Sequence, residues 1–254
     1  MSVPAVPLCS SRKKKSSSIL RMTDPVPSGR EILERLSTAT GDWQLQRRDA
    51  HYEIICNGVF LMASYNRESS RQLALLALGR VRGDRLRVLV GGLGIGYTAG
   101  AVLEDPRVIQ LDLVEVEPVV VRWHREYFAP LVGRPLDDPR TKLILADLSA
   151  VPLSPGTFDV LLLDIDNYPE RIVREQNSAL YDASGVSGLF RSLRPGGAMA
   201  FWAADRAPML AARLRRAADA VEEIEVPDMV SPTREGHAWI YVGSRREDGN
   251  DVKR

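Results

Sequence analysis

The sequence predicts a doubly wound α/β fold with a mostly parallel, seven-stranded sheet and a small N-terminal β-hairpin extension. Apolar runs and amphipathic segments alternate from residue 87 onward, which is the pattern of repeated βαβ units. Runs such as DVLLLD at 159–164 are continuously apolar, as expected for parallel strands buried on both faces. Before this region, Asn57-Gly58 lies between two alternating runs and predicts a hairpin.

Seven strands and four helices make up the predicted α/β unit. In chain order, the strands are expected at RVLVG, VIQLDLVEV, TKLILAD, FDVLLLD, GAMAFWA, VEEIEV and AWIYVG. The helices are expected at YTAGAVLED, PVVVRWHREYFA, SGVSGLFRSL and APMLAARLRRAADA. No clear helix separates the last two strands, so we expect them to form an antiparallel hairpin at the edge of the sheet.

The chain before residue 84 is predicted to form the N-terminal extension. A helix is expected around REILERLS, then the hairpin, then a second helix at SSRQLALLALGRV with serine caps. The predicted organisation is a disordered tail at 1–28, a helix and β-hairpin extension at 29–83, the ligand-binding α/β domain at 84–243 and a flexible tail at 244–254.

Composition excludes several classes of function. The formal net charge of +1 gives no electrostatic footprint for nucleic acid or an anionic membrane. No apolar run approaches the roughly 18 residues of a membrane span, and the N-terminus does not have the charge order of a signal peptide. Cys9, Cys56 and three scattered histidines form no disulfide or metal pattern. The expectation is therefore a cytoplasmic protein without a metal site, acting on a small molecule.

A glycine-rich turn follows the first predicted strand of the sheet. Residues 87–96 read RVLVGGLGIG, and Glu115 comes nineteen residues after Gly96, at the end of the next apolar run. Gly92, Gly94 and Gly96 leave room for a ligand against the backbone and allow positive φ. The following helix points its N-terminal amides at that ligand. A carboxylate at the end of the second strand suits ribose hydroxyls, so the unit predicts a nucleotide site.

Further acids follow the next strands. Asp147 ends the third strand and Asp164 the fourth, with Asp166 and Asn167 just beyond. In open α/β sheets, ligands bind over the carboxyl ends of the strands. Carboxylates there suit a ligand with hydroxyls, an amine and a positive charge, and S-adenosylmethionine has all three. The loop GGLGIG is one residue tighter than GxGxxG, which favours an S-adenosyl nucleotide over NAD.

The fourth strand also offers candidate catalytic groups. Asp164 is placed to accept a hydrogen bond from an attacking amine and hold its lone pair in line, with general-base assistance if the amine arrives protonated. Asp166 and Asn167 would lie at the mouth of the same site. The alternative is that Asp164 or Asp166 caps a following helix or turn.

Several segments resemble a known family. LVGGLGIGYTAGAV, LVEVEP, ILADL, FDVLLLDIDN and LFRSLRPGGAMAFW follow the order of class I S-adenosylmethionine-dependent transferases, and most closely resemble the spermidine-synthase-like branch. The resemblance covers roughly residues 50–205 and implies a class I methyltransferase-like Rossmann fold. It also implies that Glu115 binds the ribose, Asp147 the adenine amine and Asp164 the attacking amine, and it favours a homodimer.

The departures from this family bear on the group transferred. Gly94 stands where spermidine synthases carry the acid of GGGDGG, which pairs with the ammonium of decarboxylated S-adenosylmethionine. Leu61 replaces the glutamine that follows the hairpin turn. The polyamine-contacting Tyr-His/Gln-Glu segment becomes Ser70, Arg71 and Gln72, and the second acid of D-x-x-D-P is displaced to Asp166. Arg71 would repel a polyamine if it faced the site.

These observations leave three hypotheses. The first is methyl transfer from intact S-adenosylmethionine to a small-molecule amine or another nucleophile. The second is aminopropyl transfer from decarboxylated S-adenosylmethionine. The third is a non-catalytic protein that binds a nucleotide or a partner chain. Trp202 is a candidate wall of the acceptor pocket, with core packing as the alternative. Tyr181, by resemblance to the family, and Asn177 are further candidates for lining the site. His124 is expected to be a solvated helix residue.

Overall fold

The computed structural model describes residues 29–165 and 177–247. They form a four-stranded antiparallel sheet followed by a seven-stranded sheet with helices. The first sheet contains β1 (Arg30–Thr38), β2 (Gly41–Arg48), β3 (His51–Cys56) and β4 (Val59–Ala63). The second contains β5 (Leu86–Gly91), β6 (Val108–Glu115), β7 (Thr141–Leu145), β8 (Phe158–Leu163), β9 (Leu193–Ala203), β10 (Ala220–Ser231) and β11 (Arg234–Ser244).

The helices lie between these strands. They are α1 (Glu68–Leu78), α2 (Tyr97–Glu104), α3 (Pro118–Trp123), α4 (Ser178–Tyr181), α5 (Ala183–Arg191) and α6 (Pro208–Ala217). A π-helical turn at His124–Phe128 continues α3, and short 3-10 turns occupy Ala129–Leu131, Pro135–Asp137 and Leu148–Ala150. No helix in the described parts of the chain has both the length and the apolar character needed to cross a bilayer.

The seven-stranded sheet has the order β10-β11-β9-β8-β5-β6-β7. The five strands from β9 to β7 in this order run parallel, whereas β11 is antiparallel to both β9 and β10. The predicted doubly wound fold and its antiparallel edge hairpin are therefore confirmed. The central strands β5 and β8 are almost wholly buried, because helices cover both faces of a parallel sheet.

The N-terminal part differs from the prediction. Residues 30–38 form β1 and not a helix, and they pair with β2 through Leu36↔Trp43 and neighbouring pairs. The pairing register shifts between Ile32 and Glu34, which marks a bulge in the strand. Because of this bulge, Leu33 and Leu36 both pack on the core although their spacing in the sequence is typical of a helix. A bulge of this kind breaks the period of two on which strand prediction depends. The extension is accordingly a four-stranded sheet and not a hairpin alone.

The predicted hairpin at Asn57-Gly58 is confirmed within this sheet. Cys56 pairs with Val59 across the turn, and Asn57 and Gly58 have φ of 51° and 76°. Two successive residues at positive φ make the type I′ turn that matches the twist of the flanking strands.

The second predicted N-terminal helix is α1, and it belongs structurally to the large sheet. It packs against α2, β9, β10 and β11, and it buries Leu73, Ala74 and Ala77 in that interface. It carries Ser69 and Ser70 to the edge of the sheet where the strands end. The division of the chain at residue 83 remains a proposal, and the tail predicted at 1–28 lies outside the described residues. Of the flexible tail predicted at 244–254, residues 248–254 also lie outside them, whereas Ser244 ends β11 and the Arg245 amide donates to the Gly197 carbonyl at 2.8 Å.

Candidate functional site

The candidate site lies at the edge of the large sheet where β5, β6 and β8 end. In the register of the sheet, Gly91 at the end of β5 lies between Val114 on β6 and Leu163 on β8. The Gly92 amide donates to the Val114 carbonyl at 2.8 Å, and the Asp164 amide donates to the Gly91 carbonyl at 2.9 Å. The parallel pairing thus places the glycine turn between the ends of the two acid-bearing strands.

The glycine turn requires glycine at its first predicted position. Gly92 has φ of +89°, and a Cβ there would lie 2.3 Å from the backbone oxygen of Asp164. No rearrangement of a side chain can relieve a contact with backbone. Gly96 has φ of +103° and directly precedes α2, so the turn ends where the helix amides begin. The strand, turn and helix predicted from GGLGIG are therefore present as a continuous unit.

Glu115 is tied to the glycine turn. Its Oε2 accepts the Leu93 amide at 2.9 Å, and its Oε1 accepts the Glu117 amide at 2.8 Å. The side chain is buried, and burial raises the pKa of the Glu115 carboxyl against the lowering effect of these amides. Each carboxylate oxygen can accept more than one hydrogen bond, so Glu115 can hold the loop and still accept from a ligand.

Asp164 lies beside the N-terminal turns of α1 and α2. Its Oδ2 accepts the Thr98 hydroxyl at 2.7 Å, and Ser70 is a second hydroxyl donor. Burial raises the pKa of Asp164, and the negative charge of Asp228 adds to the rise. The residue that aligns with a polyamine contact in the resembling family, Ser70, therefore supports the acid at the centre of the site.

Asp147 lies just beyond the end of β7, and it also has a local structural role. Its Oδ1 accepts the Ser149 amide at 2.9 Å and the Ser149 hydroxyl at 2.7 Å, which caps the turn at Leu148–Ala150. The capping geometry fixes the carboxylate at the sheet edge. Asp147 is nevertheless part of the cavity wall described next.

These groups surround a cavity of about 790 Å3. The sequence-predicted residues on its wall are Gly92, Gly94, Glu115, Asp147, Asp164, Asn177 and Trp202. Gly96 and Tyr181 are not on the wall. Arg71 forms an ion pair with Glu104, at 2.8 Å and 3.0 Å, away from the cavity. The predicted Asp166 and Asn167 lie outside the described residues.

Asp228 is a further buried acid on the wall that no sequence motif indicates. Asp228, on the edge strand β10, is 7% exposed, and its Oδ2 accepts the Ser69 hydroxyl. Ser69 in turn accepts the Trp202 indole N–H at 2.9 Å. Burial raises the pKa of Asp228. Its position in the run EVPDMVS gives no motif, because only the folding of β10 across the sheet edge brings it to the cavity.

The prediction that His124 is solvated is wrong, because its side chain is fully buried. Its Nδ1 lies 3.0 Å from the Ile95 carbonyl of the glycine turn, and burial lowers the pKa of the imidazole. A neutral ring donating from Nδ1 accounts for this contact. A Cβ on Gly96 would lie 2.8 Å from His124 Cε1, so the ring packs directly behind the turn and positions it.

The chain is similar in sequence to two kinds of transferase, although no protein-family model matches it. A 124-residue segment is 30% identical to putrescine N-methyltransferase 1 of Nicotiana tabacum and covers 48% of this chain and 31% of that enzyme. A 137-residue segment is 27% identical to the polyamine aminopropyltransferase of Mycobacterium tuberculosis and covers 52% of this chain and 25% of that enzyme. The matched segments thus span a third or less of these relatives.

Two solved structures share the fold. A spermidine synthase in complex with the transition state analogue AdoDATO superposes with a TM-score of 0.72 and 18% identity, covering 86% of this chain and 75% of that one. Spermidine synthase from Thermotoga maritima gives a TM-score of 0.69 and 17% identity, with coverage of 86% and 73%.

The strand order is that of the predicted class I methyltransferase-like Rossmann fold, and spermidine synthases share this fold. Its sequence similarity to a putrescine N-methyltransferase and a polyamine aminopropyltransferase, and the fold that it shares with spermidine synthases, agree with the resemblance found in the sequence. The predicted use of S-adenosylmethionine or its decarboxylated form agrees with these similarities.

Proposed function

We propose that this chain is an S-adenosyl-nucleotide-dependent transferase that moves a methyl group from S-adenosylmethionine to a small-molecule amine or another nucleophile. One observation carries the proposal. The glycine turn and three acids from successive parallel strands, Glu115, Asp147 and Asp164, line a single cavity. Such a wall combines close backbone approach, acceptors for hydroxyls and an amine, and negative charge for a cationic ligand.

The residues present fit the nucleoside. Gly92 and Gly94 line the cavity with backbone atoms, and Glu115 is fixed by two amides with acceptor capacity remaining. Asp147 lies at the neighbouring strand end, on the same wall. We assign Glu115 to the ribose and Asp147 to the adenine amine. When bound, S-adenosylmethionine would supply an electrophilic methyl group.

The acceptor side of the cavity suits an amine. Asp164 and Asp228 both line it and both are held by hydroxyls of α1 or α2. Within residues 29–165 and 177–247, neither acid forms a salt bridge with a lysine or arginine. A ligand cation would therefore relieve the cost of burying these carboxylates. We assign Asp164 to orienting the attacking nitrogen and accepting its proton, a task that its raised pKa favours.

Methyl transfer is favoured over aminopropyl transfer by the composition of the glycine turn. Gly94 brings no carboxylate to the place where an aminopropyl donor's ammonium would need one. The similarity to a putrescine N-methyltransferase supports this choice. Similarity to aminopropyltransferases and spermidine synthases supports the second candidate, with Asp166 replacing the missing acid. A non-catalytic nucleotide-binding protein is the third, opposed by the retention of Glu115, Asp147 and Asp164.

Calorimetry separates these candidates. The purified chain is titrated with S-adenosylmethionine, S-adenosylhomocysteine and decarboxylated S-adenosylmethionine, and then incubated with methyl-labelled donor and a panel of mono- and diamines. We expect the first two ligands to bind more tightly than the third, and label to pass to an amine. Tighter binding of the decarboxylated donor would indicate the aminopropyltransferase. Binding without transfer from either donor would indicate the non-catalytic protein.

A further inference from the structure

Strand β4 gives the cavity an apolar side. Four consecutive residues of this strand line the cavity, namely Val59, Phe60, Leu61 and Met62. In a regular strand, neighbouring side chains point to opposite faces, but the pairing of β4 with β3 contains a register shift. Such a shift re-aims side chains and allows successive residues to face one space. The N-terminal sheet therefore adds an apolar surface to a cavity whose acids come from the large sheet.

Part of this apolar surface is exposed. Within residues 29–165 and 177–247, three of the nine exposed large apolar side chains line this one cavity. They are Val59 (42% exposed) and Phe60 (39%) on β4, and Val230 (42%) on β10. Exposed apolar residues scattered singly need no explanation, but a group of them around one cavity marks a surface that a ligand covers. These three residues form the apolar rim of the cavity.

The two parts of the apolar rim are held together. The Asn66 side-chain amide donates to the carbonyl of Met229, which directly precedes Val230. Asn66 Oδ1 accepts the backbone amide of the last residue of β4 at 3.1 Å. The end of β4 and the edge strand β10 are thus joined through one side chain, so the rim is a continuous feature of the fold.

The rest of the acceptor side of the cavity is acidic. Asp164 and Asp228 line it and are held by hydroxyl groups, and two carboxylates stabilise a ligand ammonium by charge-assisted hydrogen bonds. The exposed ionisable residues of the wall include both acids and bases, and they are Asp205, Arg234, Glu235 and His237. A second ammonium near the mouth would meet the positive charge of Arg234 as well as negative charge. The wall therefore suits a cation at one end of a ligand and apolar surface at the other.

We propose that the acceptor is an amine that carries a large apolar substituent. Asp164 and Asp228 bind its nitrogen, and the substituent covers the apolar rim. The inference rests on the proposed function and specifies its acceptor. Covering the rim removes apolar area from water, which favours binding in proportion to that area. A short diamine leaves the rim exposed and gains nothing from it.

The test compares three amines that differ only at one end of a four-carbon chain: butylamine, 4-phenylbutylamine and putrescine. Each is titrated by calorimetry into the full chain saturated with S-adenosylhomocysteine. The variants are Phe60→Ser and Val230→Ser, which change the rim from two different strands. Ile109→Ser, at a side chain 38% exposed on β6 and away from the cavity, is the matched control. Serine at exposed positions should leave the unfolding midpoint close to that of the parent.

We expect the phenyl group to raise affinity at least tenfold over butylamine, and the second ammonium of putrescine to raise it less than threefold. Each rim variant should weaken 4-phenylbutylamine at least fivefold and butylamine less than twofold, and Ile109→Ser should change neither. Tighter binding of putrescine than of 4-phenylbutylamine would overturn the inference. So would binding of none of the amines, or an unchanged affinity for 4-phenylbutylamine in both rim variants, which would show that something else covers the rim. Failure of the parent chain to bind S-adenosylhomocysteine would instead overturn the proposed function, and this inference with it.

Discussion

The Leu93 amide donates to Glu115 Oε2 at 2.9 Å, so the acid at the end of β6 holds the glycine turn at the end of β5. The residue assigned to the ribose is thus also the residue that shapes the loop. Under the proposed assignment, recognition of the nucleotide and the conformation of the glycine turn would be coupled through this one carboxylate, because its Oε2 holds the turn.

Replacing Glu115 should therefore remove nucleotide binding by two routes. We expect Glu115→Ala to abolish binding of S-adenosylmethionine in calorimetry, and Glu115→Gln to weaken it at least tenfold, since an amide NH2 cannot accept from the loop. Glu31→Gln, at an exposed glutamate on β1, is the matched control and should bind as the parent does. Normal binding by Glu115→Ala would show that the ribose lies elsewhere.

A comparison of Gly92 with Gly83 separates two effects of an added Cβ, its contact with neighbouring backbone and the strain of a positive φ. At Gly83, φ is +100° and a Cβ would meet nothing within 4 Å, whereas at Gly92 φ is +89° and a Cβ would lie 2.3 Å from the Asp164 backbone oxygen. Gly83→Ala should cost about 1–2 kcal/mol in the free energy of unfolding, from φ alone. Gly92→Ala should cost about 1–3 kcal/mol more and should abolish nucleotide binding. Equal costs in denaturant titrations would mean that the loop relaxes freely.

Asp164 should matter for turnover more than for nucleotide binding. We expect Asp164→Asn to lower the rate of group transfer by about 100-fold or more, as for loss of a general base. Affinity for S-adenosylhomocysteine should change less than threefold, because Asn can still accept from the Thr98 hydroxyl. Single-turnover kinetics with saturating donor isolates the chemical step. An unchanged rate would assign Asp164 to packing alone.

Asp228 should make the stability of the free protein depend on pH. Burial raises its pKa in the folded state, so its contribution is most favourable below the unfolded pKa and is lost as pH rises through the folded value. Asp228→Asn removes this loss. Relative to the parent, the variant should gain stability as pH rises from the ordinary aspartate pKa of 3.8 through the raised folded value, by about 1.4 kcal/mol for each unit of elevation, as measured by denaturant unfolding.

The control for this pH effect is an acid with the opposite shift. The Gly185 amide and the Ser184 hydroxyl lower the pKa of Asp182 at the start of α5. The stability that Asp182 contributes is present at higher pH and is lost as pH falls through its lowered pKa. Asp182→Asn should therefore lose stability, relative to the parent, as pH rises. If both variants respond to pH in the same direction, burial is not the cause of the Asp228 effect.

Local sequence information was sufficient for the parallel sheet and much of its functional edge. Continuous apolar runs identified β5, β6 and β8, because strands covered on both faces contain few polar residues. Gly92, Glu115 and Asp164 were predicted to lie together because each ends or directly follows a strand, and parallel strands end at one edge. The Asn57-Gly58 turn was found because its conformation is encoded in two adjacent residues.

Other features depended on contacts between distant segments, and the local periodicity of apolar residues carries no information about such contacts. The edge pairing with β2 and the bulge after Ile32 made a strand of a helix-like pattern. The position of β10 at the sheet edge places Asp228 beside Ser69. The His124 ring is buried against the glycine turn. The sequence by itself determined the sheet, its glycine turn and its row of acids. Only the tertiary structure decided that the Met62 side chain occupies the space that a side chain at position 94 would need. Met62 and Gly94 lie in distant segments of the sequence, and they come into contact only after the N-terminal sheet and the large sheet have folded.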